Sequence, residues 1–256
     1  MAAQPWQFPL ILLAAFAAGM VNSVAGGGTL LSFPALIWAG RDPILANATN
    51  TLALWPGSLG GLWGYRREVA GSGRFAAALL APSALGGLLG AVLLLRTPSR
   101  TFADLVPWLI LLATVLLALQ EPASRLVTRL GADRPGPLWW TGAVGFQFLV
   151  GVYGGYFGAG IGILMLAALG LLGLTDMHQM NGLKNFLAFS INATAAVYFA
   201  VSGAVLWSDG IPMAASAVCG GLAGAAIARK AGRHVVRRAV VAIGFLMALS
   251  LFLRRI

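Results

Sequence analysis

Long apolar runs without charged side chains are the feature that most restricts the fold of this chain. No Asp, Glu, Lys or Arg occurs from Phe75 to Leu95 or from Leu105 to Leu119, and about 20 apolar residues are enough for a helix to cross a bilayer. The 256 residues are 59% hydrophobic and 9% charged, whereas a soluble domain carries about 25% charged residues. We therefore predict an all-α, polytopic helical membrane protein.

The net charge of +10 does not indicate a nucleic-acid partner. Most of the Lys and Arg residues lie in short segments between the apolar runs, where the positive-inside rule accounts for them. Cys219, the single cysteine, offers neither a disulfide framework nor metal-ligand spacing. We expect no cofactor, no metal site and no nucleic acid.

Lys184 is the charged residue that lies well inside an apolar run. If a helix begins near Asp176, Lys184 is about 12 Å along its axis, close to the middle of a hydrocarbon layer ~30 Å thick. A cation there costs at least ~2.5 kcal/mol, which predicts a functional role. Asn181 and Asn185 share its helix face. The alternative is a lysine that snorkels to the interface near a helix end.

Glycine-rich segments precede two short apolar pieces. Residues 26–28 are all glycine, and the apolar piece from Leu30 to Ala39 is too short to span a bilayer alone. We predict a backbone break at these glycines, with a short segment that is either re-entrant or spanning. Asp42 and Pro43 then predict an N-cap and a first helical turn. This helix presents Asn47, Asn50 and Thr51 on one face.

A shift of 134 positions brings the two halves of the chain into register, since 176 − 42 = 134. Asp42 falls on Asp176 and Asn47 on Asn181, and both are scarce residue types here. We predict an internal duplication, as in many secondary transporters. The repeats are 1–119 and 138–256, joined by a polar linker at 120–137. The glycines at 86, 87 and 90, which match 220, 221 and 224, predict close helix packing.

Loop charge indicates that the repeats are inverted. The loop at 66–74 holds three Arg, whereas its counterpart near 205–210 holds no Lys or Arg. The next pair of loops, which we expect at 96–104 and 229–238, has the opposite bias, with the greater charge at 229–238. Under the positive-inside rule this needs an odd number of crossings per repeat. Arg254 and Arg255 would then lie outside, which argues against the prediction. We expect 8 to 10 membrane segments, some of them broken or re-entrant.

The chain resembles the TauE/SafE sulfite exporter family, also called the 4-toluene sulfonate uptake permease family. The resemblance covers nearly the whole chain except the linker. It is most specific at GMVNSVAGGGTLLSFP (19–34), ANATNT (46–51), YGGYFGAGIG (153–162) and NGLKN (181–185). It implies a multi-pass transporter of the bacterial inner membrane that carries sulfite, sulfoacetate or another organosulfonate. Substrate and direction differ among members.

The residues agree with such a transporter and suggest how it binds an anion. Free N–H groups and the dipole at a helix start attract anions, and glycine lets an oxyanion approach them. The competing explanation is that the glycines only allow close packing. We expect a small sulfur-containing anion and the lipid bilayer as partners, and a homodimer remains open. The predicted binding residues are Lys184, Asn47, Asn50, Thr51, Asn181, Asn185, Gly26, Gly27, Gly28, Gly160 and Gly162.

Other functions fit the sequence less well. An intramembrane enzyme needs a nucleophile with a base, or a metal cluster, and we predict no catalytic residues. An anion channel and an uptake permease for another small organic anion remain alternatives. We find no acidic residue in the apolar runs except Asp104, which lies at the edge of one, so the usual carboxylate for proton coupling is missing. Since no cation site is evident, we expect uncoupled export, for which the membrane potential supplies about 2.3 kcal/mol per charge per 100 mV. If the direction is uptake instead, His178 is the candidate for a proton-linked group.

Overall fold

The computed structural model describes residues 6–24, 27–129, 137–231 and 233–254, and these residues form helices and short connections without a strand. The predicted all-helical class is confirmed. The twelve helices among the described residues are α1 (Gln7–Val24), α2 (Thr29–Trp38), α3 (Pro43–Leu54), α4 (Ser58–Gly64), α5 (Arg66–Gly71), α6 (Gly73–Arg96), α7 (Ser99–Arg129), α8 (Pro137–Tyr156), α9 (Ile161–Leu171), α10 (Met177–Val201), α11 (Trp207–Ala231) and α12 (Arg233–Arg254).

Both aspartates act as helix caps, as the sequence predicts. The Oδ1 atom of Asp42 accepts a hydrogen bond of 2.9 Å from the N–H of Ile44 at the start of α3. That of Asp176 accepts one of 2.8 Å from the N–H of His178 at the start of α10. Pro43 is the first residue of α3, where its missing N–H has no helical partner to lose. These caps fix where the two polar helices begin.

The predicted glycine breaks are also confirmed. The first lies between Val24 and Thr29, and the second between Tyr156 and Ile161. Glycine suits the breaks because the backbone adopts positive φ there, which other residues rarely do. The positive values are 89° at Gly27, 80° at Gly158 and 78° at Gly160.

Some polar segments that were expected to be loops are helical. The prediction of a loop at 96–104 is wrong for most of its length, because α7 begins at Ser99. Pro98 just before this start does not interrupt a helix, and the fully buried Phe102 anchors the first turn. Residues 120–129 of the expected linker continue α7, and 130–136 lie outside the described residues. The loop expected at 66–74 contains α5 and the start of α6.

Three helices of the first half begin at positions that match helix starts in the second half. Helices α3, α6 and α7 begin at 43, 73 and 99, and adding 134 gives 177, 207 and 233, where α10, α11 and α12 begin. The counterpart of α10 is divided, because α3 ends at Leu54 and α4 begins at Ser58. Pro56 explains the difference, since its ring and missing N–H interrupt a helix. These three matched starts agree with the predicted duplication.

Helices of the first half pack against helices of the second half. The most extensive helix contacts are α6 against α8 and α1 against α11, each joining one half to the other. An added Cβ at Gly90 would collide with the carbonyl of Val152, and one at Gly220 with that of Phe16. The packing role predicted for these glycines is therefore confirmed. Trp55 contacts its own counterpart, Phe189, with ring centroids 5.4 Å apart.

Three helical stretches among the described residues are long and apolar enough to cross a membrane: Gly73–Arg96, Ser99–Leu119 and Val236–Leu253. Shorter apolar helices occur at Gln7–Ser23, Thr29–Trp38 and Ile161–Leu171. Large apolar side chains also lie on the outside, including Leu13, Leu85, Trp108, Leu222 and Leu246, each at least 60% exposed. An apolar exterior of this kind suits contact with lipid rather than water.

Candidate functional site

The polar face of α10 holds Lys184 eight residues beyond the cap Asp176. Its Nζ atom donates a hydrogen bond of 2.9 Å to Oδ1 of Asn181. Asn181 in turn donates from Nδ2 to the carbonyl of Met177 at 2.7 Å. Asn185 lies on the same face and is partly exposed, as are Lys184 and Asn181. Asn181 therefore fixes one direction for the ammonium group.

The second glycine break brings the start of α9 beside Lys184. A Cβ atom added at Gly162 would lie 3.3 Å from Cδ of Lys184 and 4.0 Å from Cε. The first N–H groups of a helix have no helical acceptor and carry a partial positive charge. The lysine side chain and this helix start thus place two positive features together. Of the predicted residues, the structure unites Lys184, Asn181 and Gly162.

Gly160 lies in the same break but faces another helix. It precedes α9 with a φ of 78°, and an added Cβ would contact Ala113 of α7 at 3.2 Å. Gly158 is closer to the polar face, because its Cβ position is 3.9 Å from Oδ1 of Asn192 on α10. Gly160 therefore shapes the turn and packs against α7, whereas Gly158 and Gly162 lie along α10.

In the first half, Asn47 connects α3 to the second break. Its side chain is fully buried, and Nδ2 donates a hydrogen bond of 2.9 Å to the carbonyl of Tyr156, the last residue of α8. Its Oδ1 atom is buried and has no hydrogen-bond partner among the described residues. Thr51 donates from Oγ1 to the carbonyl of Asn47 at 2.9 Å.

Asn50 occupies the position that corresponds to Lys184. It is 1% exposed, and its Oδ1 accepts a hydrogen bond from Oγ of Ser32 on α2. The first half thus has a neutral amide and a hydroxyl where the second half has an ammonium group. The two predicted polar faces are related by position but differ in charge.

The first glycine break is occupied by contacts within the protein. The N–H of Gly28 donates to Oδ1 of Asn22 at 2.7 Å, and an added Cβ would collide with the carbonyl of Ala18. At Gly27, an added Cβ would lie 2.9 Å from Leu117. These contacts favour a packing role for Gly27 and Gly28. The predicted site residue Gly26 lies outside the described residues.

A cavity of about 390 Å³ lies away from Lys184. Phe186 contributes to its wall from α10, two residues and therefore ~200° around the helix from Lys184. The guanidinium of Arg66 stands over the ring of Trp63, 4.9 Å from its centroid. The remaining lining residues are Leu59, Leu62 and Val69. This cavity is mainly apolar and contains none of the predicted binding residues.

Comparison with known proteins gives the class of the molecule. A family model described as Sulfite exporter TauE/SafE matches residues 11–251. The chain belongs to the TauE/SafE sulfite exporter family. This TauE/SafE protein is a membrane transporter, and the names of its relatives agree.

Three relatives match this TauE/SafE protein over most of their length. A probable membrane transporter protein of Haemophilus influenzae is 31% identical over 242 residues, which cover 93% of this chain and 91% of that protein. The probable membrane transporter protein YfcA of Escherichia coli K12 is 26% identical over 248 residues, with coverage of 96% and 90%. YunE of Bacillus subtilis is 27% identical over 243 residues, with coverage of 87% and 89%. No solved structure matches the chain significantly.

Several polar contacts of this TauE/SafE transporter were not found from its sequence. We did not predict from the sequence that Asp209 is a buried acidic residue. It is 2% exposed at the start of α11 and forms a two-bond ion pair with Arg41, at 2.6 and 3.2 Å. Asn22 and Ser32 were missed as partners of Gly28 and Asn50. Both residues lie within a few positions of the first glycine break in the sequence, and this was the signal that could have identified them.

Proposed function

We propose that this TauE/SafE transporter moves small sulfur-containing anions, such as sulfite, sulfoacetate or an organosulfonate, across a bacterial inner membrane that the chain crosses several times. The anion binds between the two halves and leaves chemically unchanged, so the protein is not an enzyme. The family membership supports transport, and the chemistry around Lys184 supports an anion as the transported species.

The observation that carries this proposal is the position of Lys184 against the first turn of α9. An ammonium group and a helix start repel each other weakly, because both are positive. An anion placed between them reverses the sign of this interaction and receives a charge-assisted hydrogen bond from each side. Gly162 has no side chain, so the methylenes of Lys184 can lie directly against the first turn of α9.

Asn181 and Asn185 complete the proposed site. Sulfite and sulfonates present three oxygen acceptors, and amide Nδ2 groups are donors that suit them. Asn181 also holds the lysine ammonium through its Oδ1. In the first half, α3 packs against α10, and the Nδ2 group of Asn50 is a candidate neutral donor, whereas the hydroxyl of Thr51 already donates to the carbonyl of Asn47. Asn47 contacts the break through Tyr156.

Alternating access by inverted repeats is the mechanism that we propose. The opposite charge bias of corresponding loops supports the inversion. The exchanged packing of α1 with α11 and of α6 with α8 supports a pseudo-twofold relation between the halves. The contact of Trp55 with its counterpart Phe189 agrees, since a residue meets its own mate only close to a twofold axis. Movement of one half against the other would expose a central site to each side in turn.

The test is sulfite binding to purified protein by isothermal titration calorimetry. Lys184→Ala is expected to weaken binding at least about tenfold, since hydrogen bonds to charged groups contribute ~1.5–3 kcal/mol. Arg100→Ala removes an exposed positive charge at the start of α7 and should bind like the wild type. Thermal unfolding checks that both variants are folded. Undiminished binding by Lys184→Ala would refute the proposed site.

A flux measurement separates a carrier from a channel. The wild type is reconstituted into phosphatidylcholine vesicles loaded with sulfite, and efflux is followed at increasing internal concentration. A carrier saturates, because each molecule of sulfite needs one conformational cycle. Flux that rises in proportion to concentration would favour the channel alternative. Lys184→Ala vesicles supply the background rate.

A further inference from the structure

The side-chain amide of Asn47 presents a buried hydrogen-bond acceptor to the break between α8 and α9. Its orientation is set by its partner: the carbonyl of Tyr156 can only accept, so Nδ2 must be the atom that faces it. Oδ1 then points elsewhere, fully buried and without a hydrogen-bond partner among the described residues. Leaving such an acceptor unpaired costs ~1–3 kcal/mol, so a ligand with positive character would be stabilised at this position.

The surroundings of Asn47 also favour a cation over an anion. Tyr156 ends α8, and the last carbonyls of a helix carry a partial negative charge. The neighbouring side chains of α3, Asn50 and Thr51, are neutral. A sulfite or sulfonate oxygen would meet an amide oxygen and a negative helix end here, and both would repel it.

Comparison of the two repeats independently favours a cation at Asn47. At the equivalent position in the second half, Oδ1 of Asn181 accepts a hydrogen bond from the Lys184 ammonium. The residue that corresponds to Lys184 is Asn50, and its own Oδ1 is bound to Ser32. The first half therefore keeps the acceptor but replaces the covalently attached cation with a neutral residue.

We propose that a sodium ion binds at Oδ1 of Asn47 beside the C-terminal end of α8, and that it is co-transported with the anion. Amide and carbonyl oxygens are ligands of hard cations, and the ends of broken helices bind Na⁺ in other transporters. This ion replaces in the first half the positive charge that Lys184 supplies in the second. This proposal replaces our expectation of uncoupled export.

Coupling follows from the position of the two sites on one break. This part of the inference depends on the proposed anion site at Lys184. Tyr156, beside the cation, and Ile161, at the start of α9, are separated by at most ~18 Å of extended chain. Opposite unit charges ~15 Å apart at an effective dielectric of ~20 attract enough for about a sixfold effect on binding. Each ion must then strengthen the binding of the other by the same factor.

The first experiment measures sodium binding without the anion. NaCl is expected to raise the melting temperature of the purified protein by about 2–4 °C when the site fills, relative to choline chloride at equal ionic strength. Asn47→Leu should abolish the shift, whereas its matched control Asn181→Leu should retain it. Asn47→Asp keeps an acceptor oxygen for the cation but loses the donor to Tyr156, so it should melt at a lower temperature than the wild type and still show the sodium-dependent shift. An equal shift with KCl or choline, or its persistence in Asn47→Leu, would overturn the proposed sodium site.

The second experiment separates the sodium site from the anion site. Sulfite affinity is measured by calorimetry in NaCl and in choline chloride, and about a fivefold or greater increase with sodium is expected. Lys184→Ala should lose sulfite binding yet keep the sodium-dependent rise in melting temperature. Sulfite binding that ignores sodium would overturn coupling and leave the proposed function intact. A sodium shift in a protein that never binds sulfite would sink the proposed function and support the cation site.

Discussion

Two asparagines at equivalent positions have different environments. Asn47 is fully buried and binds a carbonyl of the other half, whereas Asn181 is partly exposed and binds Lys184 on its own helix. The sequence predicts that both belong to polar helix faces, because a spacing of three and four residues is a local property. It cannot predict that Asn47 reaches Tyr156, 109 positions away in the chain.

Removal of the Asn181 amide is expected to weaken sulfite binding. In Asn181→Leu, the Lys184 ammonium loses the acceptor that directs it, although its charge remains. We expect a three- to tenfold rise in Kd, less than the full effect of a hydrogen bond to a charged group, since both residues are partly exposed. Calorimetry with sulfite provides the measurement.

Ser190→Ala is the matched control for this change. Ser190 lies nine residues from Asn181 on α10 and therefore on the opposite side of the helix. Its hydroxyl donates to the carbonyl of Phe186 at 2.9 Å within the same helix. Ser190→Ala should bind sulfite like the wild type. If Ser190→Ala lost as much sulfite affinity as Asn181→Leu, the loss would reflect removal of any polar side chain from α10 and not a specific role of Asn181.

Helix boundaries were predictable where a specific backbone chemistry marks them. The two aspartate caps and the two glycine breaks have local causes, and both pairs occur where expected. The start of α7 was placed too late, because Phe102 is buried against Phe33 of α2 and Tyr156 of α8 and holds polar neighbours in helical form. Tertiary packing overrode composition at that point.

Close packing of α8 on α6 predicts opposite effects for two glycines of the same helix. An added Cβ at Gly155 would collide with the carbonyl of Gly87, whereas one at Gly142 has no neighbour within 4 Å. Gly155→Ala must push the helices apart and should cost about 1–3 kcal/mol. Gly142→Ala should be neutral or stabilise by up to ~1 kcal/mol, because alanine favours the helix.

Thermal unfolding in detergent tests this pair of variants. Gly155→Ala should lower the melting temperature by several degrees, at about 2–4 °C per kcal/mol for a chain of this size. Gly142→Ala is the internal control for the effect of adding a methyl group to α8. Equal melting temperatures for the two variants would show that the contact of α8 with α6 tolerates separation.

The arrangement of the whole molecule was only partly predictable. The shift of 134 positions predicts which helices correspond, and matched helix starts agree with it. It does not predict that α1 packs against α11 and α6 against α8, because surfaces of small residues fit several partners in a membrane. The ion pair of Arg41 with Asp209 was equally hidden, since its partners are 168 positions apart.

Inverted repeats place equivalent helix starts on opposite sides of the membrane. Gly73 begins α6 and Ser208 is the second residue of α11, so they occupy nearly equivalent places in the two halves. Both are exposed, and an added Cβ at Gly73 has no neighbour within 4 Å. We expect a cysteine at 73 to face the cytoplasm, next to the arginines at 66 and 67, and one at 208 to face the exterior.

Labelling of spheroplasts with a membrane-impermeant maleimide checks this topology. Gly73→Cys and Ser208→Cys are made in a Cys219→Ser background, because the native cysteine is exposed. Ser208→Cys should react in spheroplasts and Gly73→Cys in inside-out vesicles, whereas both should react after solubilisation in detergent. The background protein should stay unlabelled. Reaction of both cysteines from the same side would establish parallel repeats, in which one rocking motion could not open a shared central site to each side in turn.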